Sequence, residues 1–147
     1  MKTYAEKDLP KEDQKILYEI KNLIDSVDEF DLDHEMTCHE ITYAVSNIFS
    51  LKKESGRYHA GFYHSWLVTE NGNIIDVYPW GTVGGPLLIA HQMQGRDFYR
   101  AGEINGDISS DKFKKAVKII EDALRQNIEK KKIKKEIHNG ESERKEH

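Results

Sequence analysis

Apolar residues recur at helical spacing in three separate stretches of the chain. The first stretch, 16–27, follows Asp8 and Pro10, a pair typical of a helix start. The second covers 41–49, and the third covers 113–128 and follows a serine pair suited to capping a helix. A period near 3.6 residues in each stretch predicts two N-terminal helices and one C-terminal helix.

A different pattern separates the second and third helical stretches. The segment "GFYHSWLVTENGNIIDVYPWG" contains two β-rich runs on either side of Asn71-Gly72, which predicts an antiparallel hairpin. Gly56 breaks the preceding helical pattern, "LLIA" predicts a further strand, and "GRDFYRAGEI" predicts a strand or an irregular segment. The fold class predicted is α+β, with N-terminal helices, a short antiparallel sheet of three to five strands and a C-terminal helix.

The C-terminal end differs in composition from the rest of the chain. Residues 1–128 are long enough for one domain with a core of its own. Residues 129–147 carry few apolar residues and charges of both signs. We therefore predict a single domain over 1–128 and a charged, disordered tail over 129–147.

Composition and charge narrow the class of function. The 147 residues include 37% hydrophobic and 33% charged residues, and the formal net charge is −4. No apolar stretch reaches transmembrane length, and the first twenty residues lack the apolar segment of a signal peptide. The negative charge argues against nucleic-acid binding. One cysteine and no export signal predict a cytoplasmic protein. The lack of a transmembrane stretch and the negative net charge predict that it binds neither membranes nor nucleic acids.

The single cysteine lies where a helix is predicted to begin. Thr37 and Glu40 have the spacing of a capping box, which makes Cys38 the first helical residue. Unpaired N–H groups and the positive end of the helix dipole stabilise a thiolate at that position. The alternative is that Cys38 fills space along the apolar stripe of this helix, as buried inert cysteines do.

Two polar residues interrupt the apolar hairpin strands. Alternation places His64 on one strand face with Phe62, Trp66 and Val68. Asp76 stands within the apolar run "NIIDVYP", and a buried carboxylate needs a partner, for which His64 is the nearest candidate. The alternative for His64 is a hydrogen bond to backbone at a sheet edge.

The pairing of His64 with Asp76 depends on the hairpin register. A loop centred on Glu70 sets Asp76 opposite His64 on the same face. A two-residue turn at Asn71-Gly72 pairs Asp76 with Leu67 and turns the two side chains to opposite faces. A catalytic pair therefore requires a longer loop or a bulge.

The order of these residues resembles that of a known superfamily. A cysteine that opens a helix, then His64 on one strand and Asp76 on the next, is similar to compact papain-like cysteine enzymes. Transglutaminase-like hydrolases, arylamine N-acetyltransferases and NlpC-type peptidases share this order. The stretch "YHSWLVTENGNIIDVYPWG" resembles the His-Ala-Trp…Asp-Pro-Thr stretch of transglutaminase-like proteins, and the resemblance covers residues 37–81, about a third of the chain.

By this resemblance, Cys38 is the nucleophile, His64 the base and Asp76 the residue that orients the imidazole. The reaction expected is thiol-dependent acyl chemistry on a protein, peptide or small amide substrate, by hydrolysis, deamidation or acyl transfer, without a cofactor. Three aromatic residues flank these positions and are the candidates for an acyl pocket: Trp66, Tyr78 and Trp80.

Two other classes of function remain open from the sequence. The segment "HEMTCH" supplies His34, Cys38 and His39 as potential zinc ligands, although paired ligand spacing is missing and the capping box opposes the helical geometry that this site needs. The second alternative is a non-catalytic binding or inhibitor domain on the same scaffold, because fold does not fix function. We predict no metal site.

Overall fold

The computed structural model describes residues 6–25, 38–59, 62–77, 86–91, 94–102 and 110–145, and these residues form an α+β fold, as predicted. The helices are a 3-10 turn at Glu6–Asp8, α1 at Lys11–Asp25, α2 at Cys38–Phe49, a 3-10 helix at Gln94–Phe98 and α3 at Asp111–Lys145. The strands are β1 at Lys52–Tyr58, β2 at Phe62–Val68, β3 at Ile74–Asp76, β4 at Leu87–Ile89 and β5 at Tyr99–Ala101.

The five described strands form one antiparallel sheet in the order β4-β3-β2-β1-β5. Leu67 and Ile75 join the main core with α1, α2 and α3. The alternate positions, Trp66 and Ile74, belong to a second, smaller buried cluster with Ile89. Because successive side chains of a strand point to opposite faces, the two clusters lie on the two faces of the sheet.

The sequence pattern missed β1. Its residues, "KKESGRY", are mostly charged or polar, so no alternation of apolar residues indicates a strand. The strand nevertheless pairs with both β2 and β5. Gly56 is required here by the close approach of β5, since a Cβ atom at this position would clash with the backbone of Arg100.

The β2–β3 hairpin has a three-residue loop, so the two-residue turn is excluded. The Thr69 N–H donates to the Asn73 carbonyl at 2.8 Å, and the Gly72 N–H donates to the Thr69 carbonyl at 2.9 Å. Gly72 adopts a φ of 80°, which the last position of such a loop requires. The resulting register pairs Val68 with Ile74. Asp76 therefore shares a face with His64 and lies diagonally across from it.

Helix α3 begins at a serine cap and extends far beyond the domain core. The Phe113 N–H donates to the Ser110 hydroxyl at 3.1 Å. Ser110, one of the two serines predicted to cap this helix, is therefore its cap. The helix continues to Lys145, into the stretch 129–147 that its composition predicted to be disordered. Lysine and glutamate are favourable in helices, which is consistent with this extension. Within the described ranges, no helix is long and apolar enough to cross a membrane.

Candidate active site

Cys38 is the first residue of α2, as predicted, and α2 holds it against β2. The Thr42 hydroxyl, one turn along the helix, donates to the Ser65 carbonyl at 3.3 Å and anchors the helix to the strand. The Cys38 Sγ atom lies 4.0 Å from the Tyr63 carbonyl oxygen, beside the strand residue that precedes His64. The predicted cap, Thr37, lies outside the described residues.

His64 and Asp76 form a buried pair next to this thiol. The His64 Nε2 atom lies 3.0 Å from Oδ1 and 2.9 Å from Oδ2 of the Asp76 carboxylate. Only 8% of His64 and 4% of Asp76 are exposed, so water screens their interaction weakly. Because Asp76 engages Nε2, Nδ1 is the ring nitrogen left for proton exchange with Cys38.

Aromatic residues from β1, β2 and β5 support the pair. The Tyr99 hydroxyl donates to Asp76 Oδ2 at 2.7 Å, so the carboxylate has a second donor besides the imidazole. The rings of Tyr58 and Trp66 lie 5.7 and 6.1 Å from the His64 ring, centroid to centroid. These contacts limit the orientations open to the imidazole. Sequence reasoning missed Tyr99, because its strand comes from a distant segment with no strand alternation of its own.

Neighbouring groups shift the pKa values of Cys38, His64 and Tyr99. Burial raises the pKa of the Cys38 thiol, but hydrogen bonds and charge from His39 and His64 outweigh it and lower this pKa to about 6. Burial lowers the pKa of His64, but its interactions with Asp76 and Cys38 raise it to about 9. Burial and the Asp76 carboxylate together raise the pKa of Tyr99 far above its ordinary value. Near pH 7 the site therefore favours a thiolate beside an imidazolium.

A second imidazole acts on the thiol. His39 follows Cys38 in the first turn of α2, and its ring lowers the pKa of the thiol. The His39 Nδ1 atom lies 2.5 Å from the Ser65 hydroxyl, which in turn lies 2.6 Å from the Ser55 hydroxyl. From the sequence, His39 is a candidate only as a metal ligand. Its position directly after the cysteine is the one feature of the sequence that could have indicated a role beside the thiol. Its contact with Ser65 and Ser55 could not be predicted, because it depends on the β1–β2 pairing.

Trp66 has a supporting position rather than a surface that substrate could contact. Only 1% of this residue is exposed, and its indole N–H donates to Glu54 at 3.1 Å across the β1–β2 ladder. The other two residues expected in the acyl pocket, Tyr78 and Trp80, lie outside the described residues.

The other histidines considered from the sequence do not join the described site. His59 directly follows β1 and has a positive φ of 50°, and its ring packs against that of Phe98 with 4.6 Å between the ring centroids. Across the described ranges, no group of three metal-ligating side chains is arranged to hold an ion, and His34 lies outside those ranges. A cavity of about 310 Å³ lies between the N-terminal end of α1 and the β2–β3 loop, and none of its lining residues belongs to the Cys38 site.

The geometry brings a thiol, an imidazole and a carboxylate into one chain of contacts on three neighbouring elements. Enzymes that activate a nucleophile use an imidazole beside the nucleophile and a third group that orients the imidazole, and these three side chains have that order. No family model matches this sequence, and no similar protein was found among curated proteins or solved structures.

Proposed function

We propose that this protein is a cysteine enzyme that catalyses acyl chemistry on an amide substrate by hydrolysis, deamidation or acyl transfer. The observation that carries the proposal is the buried His64 imidazole, which is bound through Nε2 to Asp76 and which lowers the pKa of the Cys38 thiol while its own pKa rises. A histidine that only stabilised the fold would need no thiol at the start of a helix. The resemblance to transglutaminase-like and other papain-like enzymes is part of this proposal.

Cys38 is the nucleophile in this mechanism. Its proton resides on His64 before substrate binds, and the thiolate attacks the amide carbon, forming a C–S bond while the carbonyl electrons move to oxygen. The C–N bond then breaks, and His64 donates its proton to the leaving nitrogen, which leaves a thioester on Cys38.

His64 acts again in the second half of the reaction. It takes a proton from the water or amine that attacks the thioester, and the C–S bond breaks to release the Cys38 thiolate. Asp76 keeps the imidazole in the required tautomer and stabilises its charged form. The Tyr99 hydroxyl holds the carboxylate, so that Asp76 remains aimed at Nε2.

The start of α2 supplies donors for the tetrahedral intermediate. The first N–H groups of an α-helix have no acceptor within the helix. Because α2 begins at Cys38, the amides of Cys38 and of the residues that follow it are next to the carbon under attack. We assign these amides to stabilisation of the oxyanion.

A reducing compartment suits this chemistry. Cys38 is the only cysteine of the sequence, and it is free in the structure. A partly exposed thiolate is prone to oxidation outside such an environment. We therefore propose the cytoplasm as the site of action.

The direct test is acylation of Cys38 by an activated ester such as 4-nitrophenyl acetate. We expect a burst of nitrophenolate, and an acetyl group that peptide mass spectrometry locates on Cys38. His64→Gln should acylate much more slowly, and Cys38→Ser should give no burst. His91→Gln is the matched control, because His91 is exposed and lies outside the site. Equal acylation rates in the wild type and His64→Gln would overturn the proposal.

A panel of natural bond types then defines the reaction. Glutamine-containing peptides report deamidation by release of ammonia, and the same peptides with a primary amine report acyl transfer by a gain in mass. Peptide cleavage reports hydrolysis of backbone amides. Turnover that depends on Cys38 in any one of these assays supports the enzyme.

A further inference from the structure

The Cys38 thiol has a second imidazole beside it, in addition to the one that Asp76 holds. His39 follows Cys38 in the first turn of α2 and is half-buried. Its Nδ1 atom is bound to the Ser65 hydroxyl at 2.5 Å, and this hydroxyl is bound to that of Ser55 at 2.6 Å. Ser65 is fully buried, and Ser55 is its partner in the β1–β2 register. Three elements thus contribute to the position of one ring.

The partners of the two imidazoles differ in charge. His64 is bound to a carboxylate, which stabilises the protonated ring. His39 is bound to a chain of neutral hydroxyls. A hydroxyl chain orients a ring and fixes its tautomer without adding a negative charge. His39 is therefore placed to offer an N–H group to the sulfur, while His64 carries the proton of the thiol.

We propose that His39 is a second catalytic imidazole, which donates a hydrogen bond to the Cys38 thiolate and is held in place by Ser65 and Ser55. In this arrangement the Ser65 hydroxyl holds Nδ1, and Nε2 carries the N–H group that faces the sulfur. The inference rests on the proposed function, because it assigns His39 a role on the same nucleophile. Its chemical effect is to stabilise the thiolate twice: before attack, and when the C–S bond of the thioester breaks.

The charged and titratable groups facing the sulfur come from several elements. Within the described ranges these are His39 on α2 and His64 on β2, with three residues behind His64: Asp76 on β3, Tyr99 on β5 and Tyr58 on β1. Changes at His39 leave the His64–Asp76 pair in place. The two contributions can therefore be separated by substitution.

The test is the pH dependence of alkylation of Cys38 by iodoacetamide, followed by mass spectrometry. His39→Ala should raise the apparent pKa of the thiol by about one unit. His39→Gln, which retains an N–H donor, should restore part of that shift. Ser65→Ala should give a smaller shift in the same direction, because the ring loses its support but not its N–H group.

Matched controls separate this role from a purely structural one. Ser46→Ala removes another buried serine of the helix–sheet region, whose hydroxyl donates to the Leu51 carbonyl. It should lower the melting temperature without moving the pH profile. If His39 only anchors α2 to the sheet, His39→Ala should behave as Ser46→Ala does.

The outcomes distinguish the failure of this inference from the failure of the proposed function. An ordinary thiol pKa in the wild type would overturn both. A low thiol pKa that His64→Gln raises and His39→Ala leaves unchanged would overturn the role of His39 alone. Where His39→Ala does not fold, the profiles of His39→Gln and Ser65→Ala decide: wild-type profiles in both would overturn the role.

Discussion

Two buried carboxylates, Asp13 and Asp76, have very different neighbours. Asp13 is 1% exposed and Asp76 is 4% exposed, so both must be compensated by donors from the protein. Asp13 accepts hydrogen bonds from the side chains of Thr69, Asn71 and Asn73 at 2.6 to 3.1 Å. All three donors are neutral and belong to the β2–β3 hairpin loop and its flanks.

The neighbours of Asp76 include groups that can exchange protons. Its donors among the described residues include the imidazole of His64 and the hydroxyl of Tyr99. The imidazole has a second nitrogen, and beyond it lies a thiol. Asp13 therefore joins the hairpin loop to the start of α1, whereas Asp76 begins a chain of groups that ends at the Cys38 thiol. Burial of a carboxylate alone does not mark a candidate site; partners that can exchange protons do.

The largest effect is expected for Cys38, the proposed nucleophile. Cys38→Ser should abolish acylation, because a serine hydroxyl is not ionised by a neighbouring imidazole to the extent that a thiol is. The free energy of unfolding should change by no more than about 1–2 kcal/mol, since the side chains are similar in size. Burst amplitude and thermal unfolding, measured on the same preparation, check both statements. Residual acylation in this variant would mean that another group is the nucleophile.

The next largest effect is expected for the carboxylate of the site. Asp76→Asn preserves the shape of the side chain but replaces the charge that holds the imidazole in its tautomer. The rate of acylation should fall by a factor on the order of 10³ to 10⁴, as it does when the carboxylate of a serine-enzyme triad is replaced by an amide. Asp13→Asn is the matched control and should keep a wild-type rate in the folded state. A large loss of rate in both variants would remove the distinction between the two carboxylates.

Asp76→Asn should also change how stability depends on pH. The pKa of His64 rises from its ordinary 6.5 to about 9 in the folded protein, so this pair stabilises the fold fully below pH 6.5 and loses its contribution as pH rises through about 9. The difference in unfolding free energy between the wild type and Asp76→Asn should therefore be larger at pH 6 than at pH 9. Chemical denaturation at both values measures it, and the opposite trend would contradict the raised pKa.

For Asp13 we expect a loss of stability without a loss of reactivity at Cys38. Asp13→Ala leaves three side-chain donors without their acceptor, and should lower the free energy of unfolding by about 3 kcal/mol. Alkylation of Cys38 in the folded protein should be unchanged, since no described contact links Asp13 to the thiol. Urea unfolding measures the loss of stability, and the alkylation rate at urea concentrations below the unfolding transition measures the reactivity of Cys38. A slower alkylation rate would indicate that the two regions are coupled.

The smallest effect is expected for the phenol. Tyr99→Phe removes one donor to Asp76 and keeps the ring that packs against Trp66 and Tyr58. We expect a loss of about 1–2 kcal/mol of stability and about a tenfold loss of acylation rate, because the imidazole still holds the carboxylate. Loss of rate as large as that of Asp76→Asn would mean that Tyr99 has a more direct role.

Much of the fold could be predicted because local patterns specify it. Helical periodicity located α1, α2 and the first part of α3, and the rule for helix caps located Cys38 at the start of α2. The requirement that Asp76 share a face with His64 excluded a two-residue turn, and the hairpin has three loop residues. In each case neighbours in the sequence provided the physical constraint.

The remaining features depend on pairing between distant segments. β1 was missed because its stability comes from two neighbouring strands rather than from an apolar alternation of its own. Tyr99 reaches Asp76 only because β5 pairs with β1, and His39 meets Ser65 only because α2 lies on β2. Single-sequence patterns do not contain these long-range contacts.

The proposed function depends on activation of the Cys38 thiol by its folded surroundings. The most direct measurement is the rate of iodoacetamide alkylation from pH 4 to 10, on the native protein and on the same protein in urea. Because the chain has one cysteine, every labelled thiol is Cys38. Such activation predicts a native rate that rises through a pKa of about 6, and a denatured rate that rises through the ordinary value for cysteine, about 8.5. Coincident native and denatured profiles would contradict it.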